Sequence, residues 1–352
     1  MSIADAETRT YRANIEARVL LSRACAGESP LITRPGALHW ASMPVSVPVI
    51  EDDPLPDEPL YHYTDAGGLH GILEKEALWA THAAYLNDSQ EFVFGIQKIE
   101  AELRQLAQHP PDEAKGAWDP NLPEWAIQPA IQLAISGLGA RLGKATVSLR
   151  ENLGPYVTCL SQSEDQLSQW RGYGQGGGYS IRFNTHKLRE SVRDHNADHR
   201  VVRMRYEKRG EFDPSLREAI IQFIKDVAPT LPGTPGTWDD DPDRPRRIED
   251  VMNPVLDSLL SKATRQKHWG FREEKEYRVI AFSTADFHRA QDTGLIPRMN
   301  ITFDPPCIEE IMIGPGQHME TREASVRSYI QKHSDRYQHV KVTSSETPFT
   351  GI

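Results

Sequence analysis

The spacing of the strand-forming runs most constrains what this chain can fold into. Short runs rich in β-branched and aromatic residues stand at Leu60–Thr64, Leu78–Thr81, Pro155–Ser161, Tyr179–Phe183, Val201–Tyr206, Tyr277–Phe282, Ile308–Ile313 and Val340–Thr343. Helical patterns fall between them unevenly. They are predicted after Asp65, which is placed to cap the first, and over 90–105, 129–151, 187–193, 216–228, 248–267 and 320–332. A doubly wound fold needs strict β-α-β alternation, and this order lacks it. The expected class is α+β, a sheet core decorated with helices.

The core is expected to begin near Leu60. Residues 4–26 read as an amphipathic helix, with Ile15, Val19, Leu20 and Leu21 near one face. A proline-rich stretch follows and ends in EDDPLPDEP, the composition of a linker. The division is therefore 1–58 as an N-terminal helix and linker, and 59–352 as one α+β domain. Stretches around 109–128 and 229–247 read as insertions into it.

Composition excludes several classes. No apolar run has the length that crosses a bilayer, and MSIADAETRT has none of the apolar character of a secretory leader. Only three cysteines occur, Cys25, Cys159 and Cys307, with no paired spacing for a disulfide framework or a zinc site. A cytoplasmic protein without a membrane partner is expected. A net charge of −10 argues against nonspecific binding of nucleic acid through a basic face. His195 and His199 in RDHNADHR have metal-like spacing, but no further ligand cluster accompanies them, and no metal is expected.

Four stretches have the residue types that carry chemistry. Tyr61-His62-Tyr63-Thr64 sets a histidine and a hydroxyl on the first strand, where either can meet a polar ligand. Tyr85-Leu86-Asn87-Asp88-Ser89 reads as a turn capping the next helix, a role that requires neither Tyr85 nor Asn87. The third stretch runs from Ser161 to Phe183. Its glycines open a strand, whereas a Rossmann or P-loop glycine loop opens a helix, so both motifs fit poorly. Trp170, Arg171, Tyr173 and Tyr179 surround those glycines, a mix suited to stacking a flat ring and pairing a phosphate. The fourth is HWGFREEKEYRVIAF. Glu274 and Glu276 stand at the mouth of a strand and share one side by its period of two. Carboxylates this close repel, so they face solvent with Arg278 as partner or face a ligand.

LYHYT, LWATHAAYLNDSQEF, CLSQSEDQLSQWRGYG with GGYSIRF, and FREEKEYRVIAF, in that order, resemble a widespread bacterial domain of unknown function, DUF2971, over about 60–314. More distantly, the same blocks resemble the ADP-ribosyltransferase superfamily, whose members open on a strand with a histidine in a context like LYHGT, here LYHYT, and carry a glutamate at the start of a later strand, here Glu276. That resemblance implies a split β-sheet cleft holding NAD as substrate. His62 would contact the adenosine-side ribose with Thr64 nearby. The backbone of Tyr63, where a glycine is usual, would meet the nicotinamide amide. Tyr85, Tyr173 and Tyr179 compete to stack on nicotinamide, and Ser161, Trp170 and Arg171 fall in the same cofactor-binding set. Glu276 would be catalytic, stabilising the cationic sugar as nicotinamide leaves, and Glu274 would serve the acceptor.

The expected function is an NAD-consuming ADP-ribosyltransferase or NAD glycohydrolase, with a protein, a nucleic acid or water as acceptor. The resemblance also implies a setting as a toxin or in defence against phage. The alternative is a non-catalytic nucleotide-binding or sensing module on the same fold. A weaker option is a nucleic-acid-processing enzyme gripping phosphate through Arg171, Arg182 and Arg278.

Overall fold

A computed structural model of the chain describes residues 54–86, 90–116, 124–148, 155–174, 177–208, 214–227, 244–291 and 294–348. The helix expected over 4–26, most of the proline-rich linker and most of the 229–247 insertion lie outside these residues.

The chain opens with β1 (Leu60–Thr64), α1 (Ala66–Lys75) and β2 (Ala77–His82). Asp65 caps α1 as expected, its Oδ1 accepting from the Gly68 amide at 2.6 Å. Then come α2 (Gln90–Gln108), α3 (Asp112–Lys115), α4 (Glu124–Ser148), β3 (Tyr156–Ser161), α5 (Leu167–Tyr173), β4 (Tyr179–Phe183) and α6 (Thr185–His195). The 109–128 stretch, read as an insertion, contains α3 and the start of α4. Pro129 lies inside α4 rather than at its start. The chain continues through β5 (Arg200–Arg203), β6 (Arg205–Glu207), α7 (Pro214–Val227), α8 (Arg244–Thr264) and β7 (Gln266–His268). After a 3-10 segment at Trp269–Glu274 come β8 (Glu276–Ala281), β9 (Phe287–Gln291), β10 (Gly294–Thr302), β11 (Ile308–Ile313), α9 (Met319–Lys332), α10 (Ser334–Tyr337) and β12 (Lys341–Ser344).

The class is α+β, with a mixed sheet of ten strands. Its main path runs β12-β11-β4-β1-β3-β2-β10-β9, with β8 on the other edge of β3 and β5 beyond it. Only β11 and β12 pair in parallel within this sheet. Apolar side chains from α2, α4, α7 and α8 form one cluster with Val157, Val202 and Ile280 of the sheet. A second cluster joins Leu69, Ile72 and Leu73 of α1, Leu188 and Val192 of α6, and Val326 and Ile330 of α9 to Tyr277, Val279 and Ala281 of β8. All six residues of β8 are buried, which removes the solvent-facing reading of Glu276 and leaves it directed into the protein.

One feature of the pairing creates the cleft. Along one edge β3 pairs with β8 through six residues, from Tyr156↔Ala281 to Ser161↔Glu276. Along its other edge it meets β1 only at Tyr61↔Ser161, and β2 only at Thr81↔Val157 and His82↔Tyr156. Between those ends β1 and β2 diverge, and the sheet splits over the middle of β3.

Candidate active site

A cavity of about 310 Å³ occupies the split. Its lining includes His62, Tyr63, Thr64, Tyr85, Ser161, Tyr173, Glu274 and Glu276, eight of the residues singled out in the sequence. Trp170, Arg171 and Tyr179 are not part of that lining. Trp170 is a core residue. Its ring meets Tyr63 edge-on at 4.7 Å, and its Nε1 donates to Asp165 at 2.6 Å.

The glycine stretch does a packing job here. A side chain on Gly178 would strike the Thr64 carbonyl and the Gly174 backbone, and one on Gly314 would strike the Trp170 ring. Arg322 clamps the same turn by donating to the carbonyls of Gly177, Gly178 and Gly314. At Gly178 and Gly314 the missing side chain thus lets protein backbone and the Trp170 ring approach closely.

His62 stands where the ladder parts. Its Nδ1 donates to the Cys159 carbonyl at 2.9 Å, a carbonyl on the middle of β3 where β1 and β2 have separated. Because a carbonyl only accepts, Nδ1 carries the proton and Nε2 is left as an acceptor. Burial lowers the His62 pKa against the opposing effect of that hydrogen bond, so the ring is neutral near pH 7. Tyr63 is tied into the loop after β3, its hydroxyl donating to the Ser163 carbonyl at 2.6 Å.

The two glutamates are held by a buried charge network. Arg278 grips Glu276 with both arms of its fork, Nε to Oε1 at 2.6 Å and Nη2 to Oε2 at 3.1 Å. Lys267 Nζ lies 2.8 Å from Oε2 of Glu276 and 2.8 Å from Oε2 of Glu274. Burial alone would raise the Glu276 pKa, but the charges of Arg278 and Lys267 outweigh it and bring it down to about 2. The Glu276 carboxylate is therefore ionised throughout the physiological range. Burial pushes the thiol of Cys159, which also hydrogen-bonds Glu276, well above its ordinary value.

The shared side of the two carboxylates comes from a turn, not from strand alternation. Lys275 adopts the left-handed conformation, with φ 44° and ψ 49°, between the 3-10 segment and β8. Ser161 supports that turn, its Oγ donating to the Glu274 carbonyl at 2.7 Å. Ser161 thus holds the backbone of Glu274 rather than its carboxylate. The Tyr206 hydroxyl accepts from the Glu276 amide at 2.6 Å and fixes the start of β8.

Exposure sorts the three competing tyrosines. Tyr85 and Tyr173 are 50% and 44% exposed and line the cavity, whereas Tyr179 is 5% exposed and belongs to the core. Sequence reasoning missed Lys267, which it placed at the end of a helix. It also missed the β9–β10 hairpin, whose Arg289 and Arg298 line the far wall with Trp79 and Asp65.

Residues 169–279 match the family described as "Protein of unknown function (DUF2971)". The expected likeness to that family holds over this segment, which runs from α5 to β8 and includes both glutamates and Lys267. No curated protein and no solved structure matches the chain. Among the described residues no helix is long and apolar enough to cross a membrane, and no group of three or more His, Cys, Asp and Glu residues is placed to hold a metal ion.

Proposed function

We propose that the split-sheet cleft is a nucleotide site of the ADP-ribosyltransferase type, and that the protein cleaves NAD between nicotinamide and ribose. The observation that carries this reading is the juxtaposition of a neutral His62 on β1 and an ionised Glu276 on β8 in one cavity, with Tyr173 at its wall. The acceptor Nε2 of His62 suits a ribose hydroxyl. Tyr173 offers a partly exposed ring for the nicotinamide. Nicotinamide departs with the electron pair of the C–N bond, and positive charge develops on the ribose carbon. An ionised carboxylate fixed nearby stabilises that charge without rearranging. A nucleophile then bonds to the carbon and releases its proton, giving ADP-ribosylated acceptor, or free ADP-ribose if the nucleophile is water. A setting as a toxin or in phage defence belongs to this reading.

One observation favours a second reading, a binding or sensing module. Arg278 and Lys267 occupy the Glu276 carboxylate and offset its charge. A cleft so balanced would hold a nucleotide without cleaving it. Calorimetry with ADP-ribose, run beside a nicotinamide-release assay with NAD, separates the two. Binding with release supports the enzyme, binding without release supports the module, and neither response removes both.

A further inference from the structure

The cavity has a second charged wall that the proposed chemistry does not use. Arg298 and Thr81 are partners across β10 and β2, as are Asn300 and Trp79. Arg289 follows on β9, two residues from Phe287, the β9 partner of Arg298. Strand period therefore sets Arg289, Arg298 and Trp79 on one face, and all three line the cavity. Arg289 stacks on Trp79 at 5.2 Å. Gly71 of α1 admits that indole, since a Cβ there would lie 2.5 Å from its ring.

Two guanidiniums side by side repel, and partial burial adds to the cost. Among the described residues neither Arg289 nor Arg298 forms an ion pair with a carboxylate. Asp65 is the acid close enough to act on Arg298, and its Oδ1 is already engaged in capping α1. Two buried donors, Arg298 Nε and Trp79 Nε1, have no protein acceptor. A cavity wall with cations in excess and donors to spare is built for an anion.

We infer that Arg289 and Arg298 form a phosphate subsite at the β2–β9–β10 end of the cleft. A planar fork suits either a phosphomonoester or a diphosphate bridge. The β3 segment from Ser161, beside Glu276, to Val157, beside Thr81, spans four residue steps, roughly 13 Å. That separation places the anion toward the end of the cleft away from Glu276. The choice of a nucleotide phosphate rests on the proposed function; the anion site itself does not.

The test is calorimetry of the full chain with three probes: inorganic pyrophosphate, ADP-ribose and AMP. Wild type, Arg289→Gln and Arg298→Gln are compared with Arg104→Gln, a charge-matched change on the exposed face of α2. Wild type is expected to bind pyrophosphate and ADP-ribose, each cavity variant to bind them on the order of tenfold more weakly, and Arg104→Gln to match wild type. AMP binding as strong as ADP-ribose binding assigns a monoester, and its absence assigns the diphosphate. Arg298→Lys keeps the charge and is expected to retain part of the affinity, which separates lost binding from lost folding. No binding of any probe by wild type, or undiminished binding by folded Arg289→Gln and Arg298→Gln, overturns the subsite. Because pyrophosphate has no glycosidic bond, this result is independent of whether the protein cleaves NAD.

Discussion

Lys267 lies 2.8 Å from both Glu274 and Glu276, and this one ammonium joins the two carboxylates that the chain sets at the mouth of β8. Lys267 and Glu276 are each 4% exposed at the side chain, so their charges depend on each other rather than on water. Breaking a buried pair from one side leaves the other charge uncompensated. Lys267→Met is therefore expected to destabilise the protein by about 3–5 kcal/mol, measured by urea unfolding. Lys267→Arg, which keeps the charge, is expected to recover much of that loss. Equal stability of Lys267→Met and wild type would remove the network from the account.

The network also sets the acid response. The Glu276 pKa is about 2 in the folded protein against an ordinary 4.5, so its contribution to stability is complete above pH 4.5 and is lost as pH falls toward 2. His62 acts in the same direction. Its pKa is lowered from 6.5, so below that value the unfolded chain takes the proton more readily, and stability again falls with pH. Stability measured from pH 7 to pH 3 is expected to decline in two stages. Glu276→Gln should flatten the lower stage, and His62→Asn the upper one.

Lys275 supplies a test of the turn. A non-glycine residue in the left-handed region costs about 1–2 kcal/mol. Lys275→Gly is expected to leave stability within about 1 kcal/mol of wild type, because relief of strain offsets the added freedom of the unfolded chain. Lys275→Val, with a branched Cβ, is expected to destabilise by more than Lys275→Ala in the same thermal melts.

The tyrosines should divide by burial. Tyr179→Ala empties a core position and is expected to cost about 3–5 kcal/mol. Tyr173→Ala removes a side chain 44% exposed and is expected to change stability by less than about 1 kcal/mol. Under the proposed function Tyr173→Ala also weakens binding of NAD, which equilibrium titration would detect. A nucleotide affinity untouched by Tyr173→Ala would take that ring out of the site.

Much of this organisation is legible in the residues themselves. Runs of β-branched, aliphatic and aromatic residues mark β1, β4, β8 and β11 because their side chains must meet a packed layer, and Asp65 marks the start of α1 because its carboxylate reaches the Gly68 amide. The β9–β10 hairpin escapes because FHRAQ and GLIPRMNIT put arginines and a proline where strand patterns have apolar residues. Those arginines face a cavity, so no core enforces the pattern. Lys267 escapes for a different reason. Gln266, Lys267 and His268 continue the composition of the α8 terminus, and only the pairing of β7 with β6 turns the Lys267 ammonium inward. The need for a cation beside Glu274 and Glu276 follows from electrostatics alone, and the sequence identified Arg278. The second cation comes from a contact that no local pattern records.

The most direct measurement is nicotinamide release from NAD by purified wild type and by Glu276→Gln, read by chromatography with and without cell lysate as a source of acceptor. The account predicts release by wild type and a loss of roughly a hundredfold or more in Glu276→Gln, the scale on which a preorganised electrostatic group acts. Equal release by the two proteins, or no release by wild type under either condition, would contradict it.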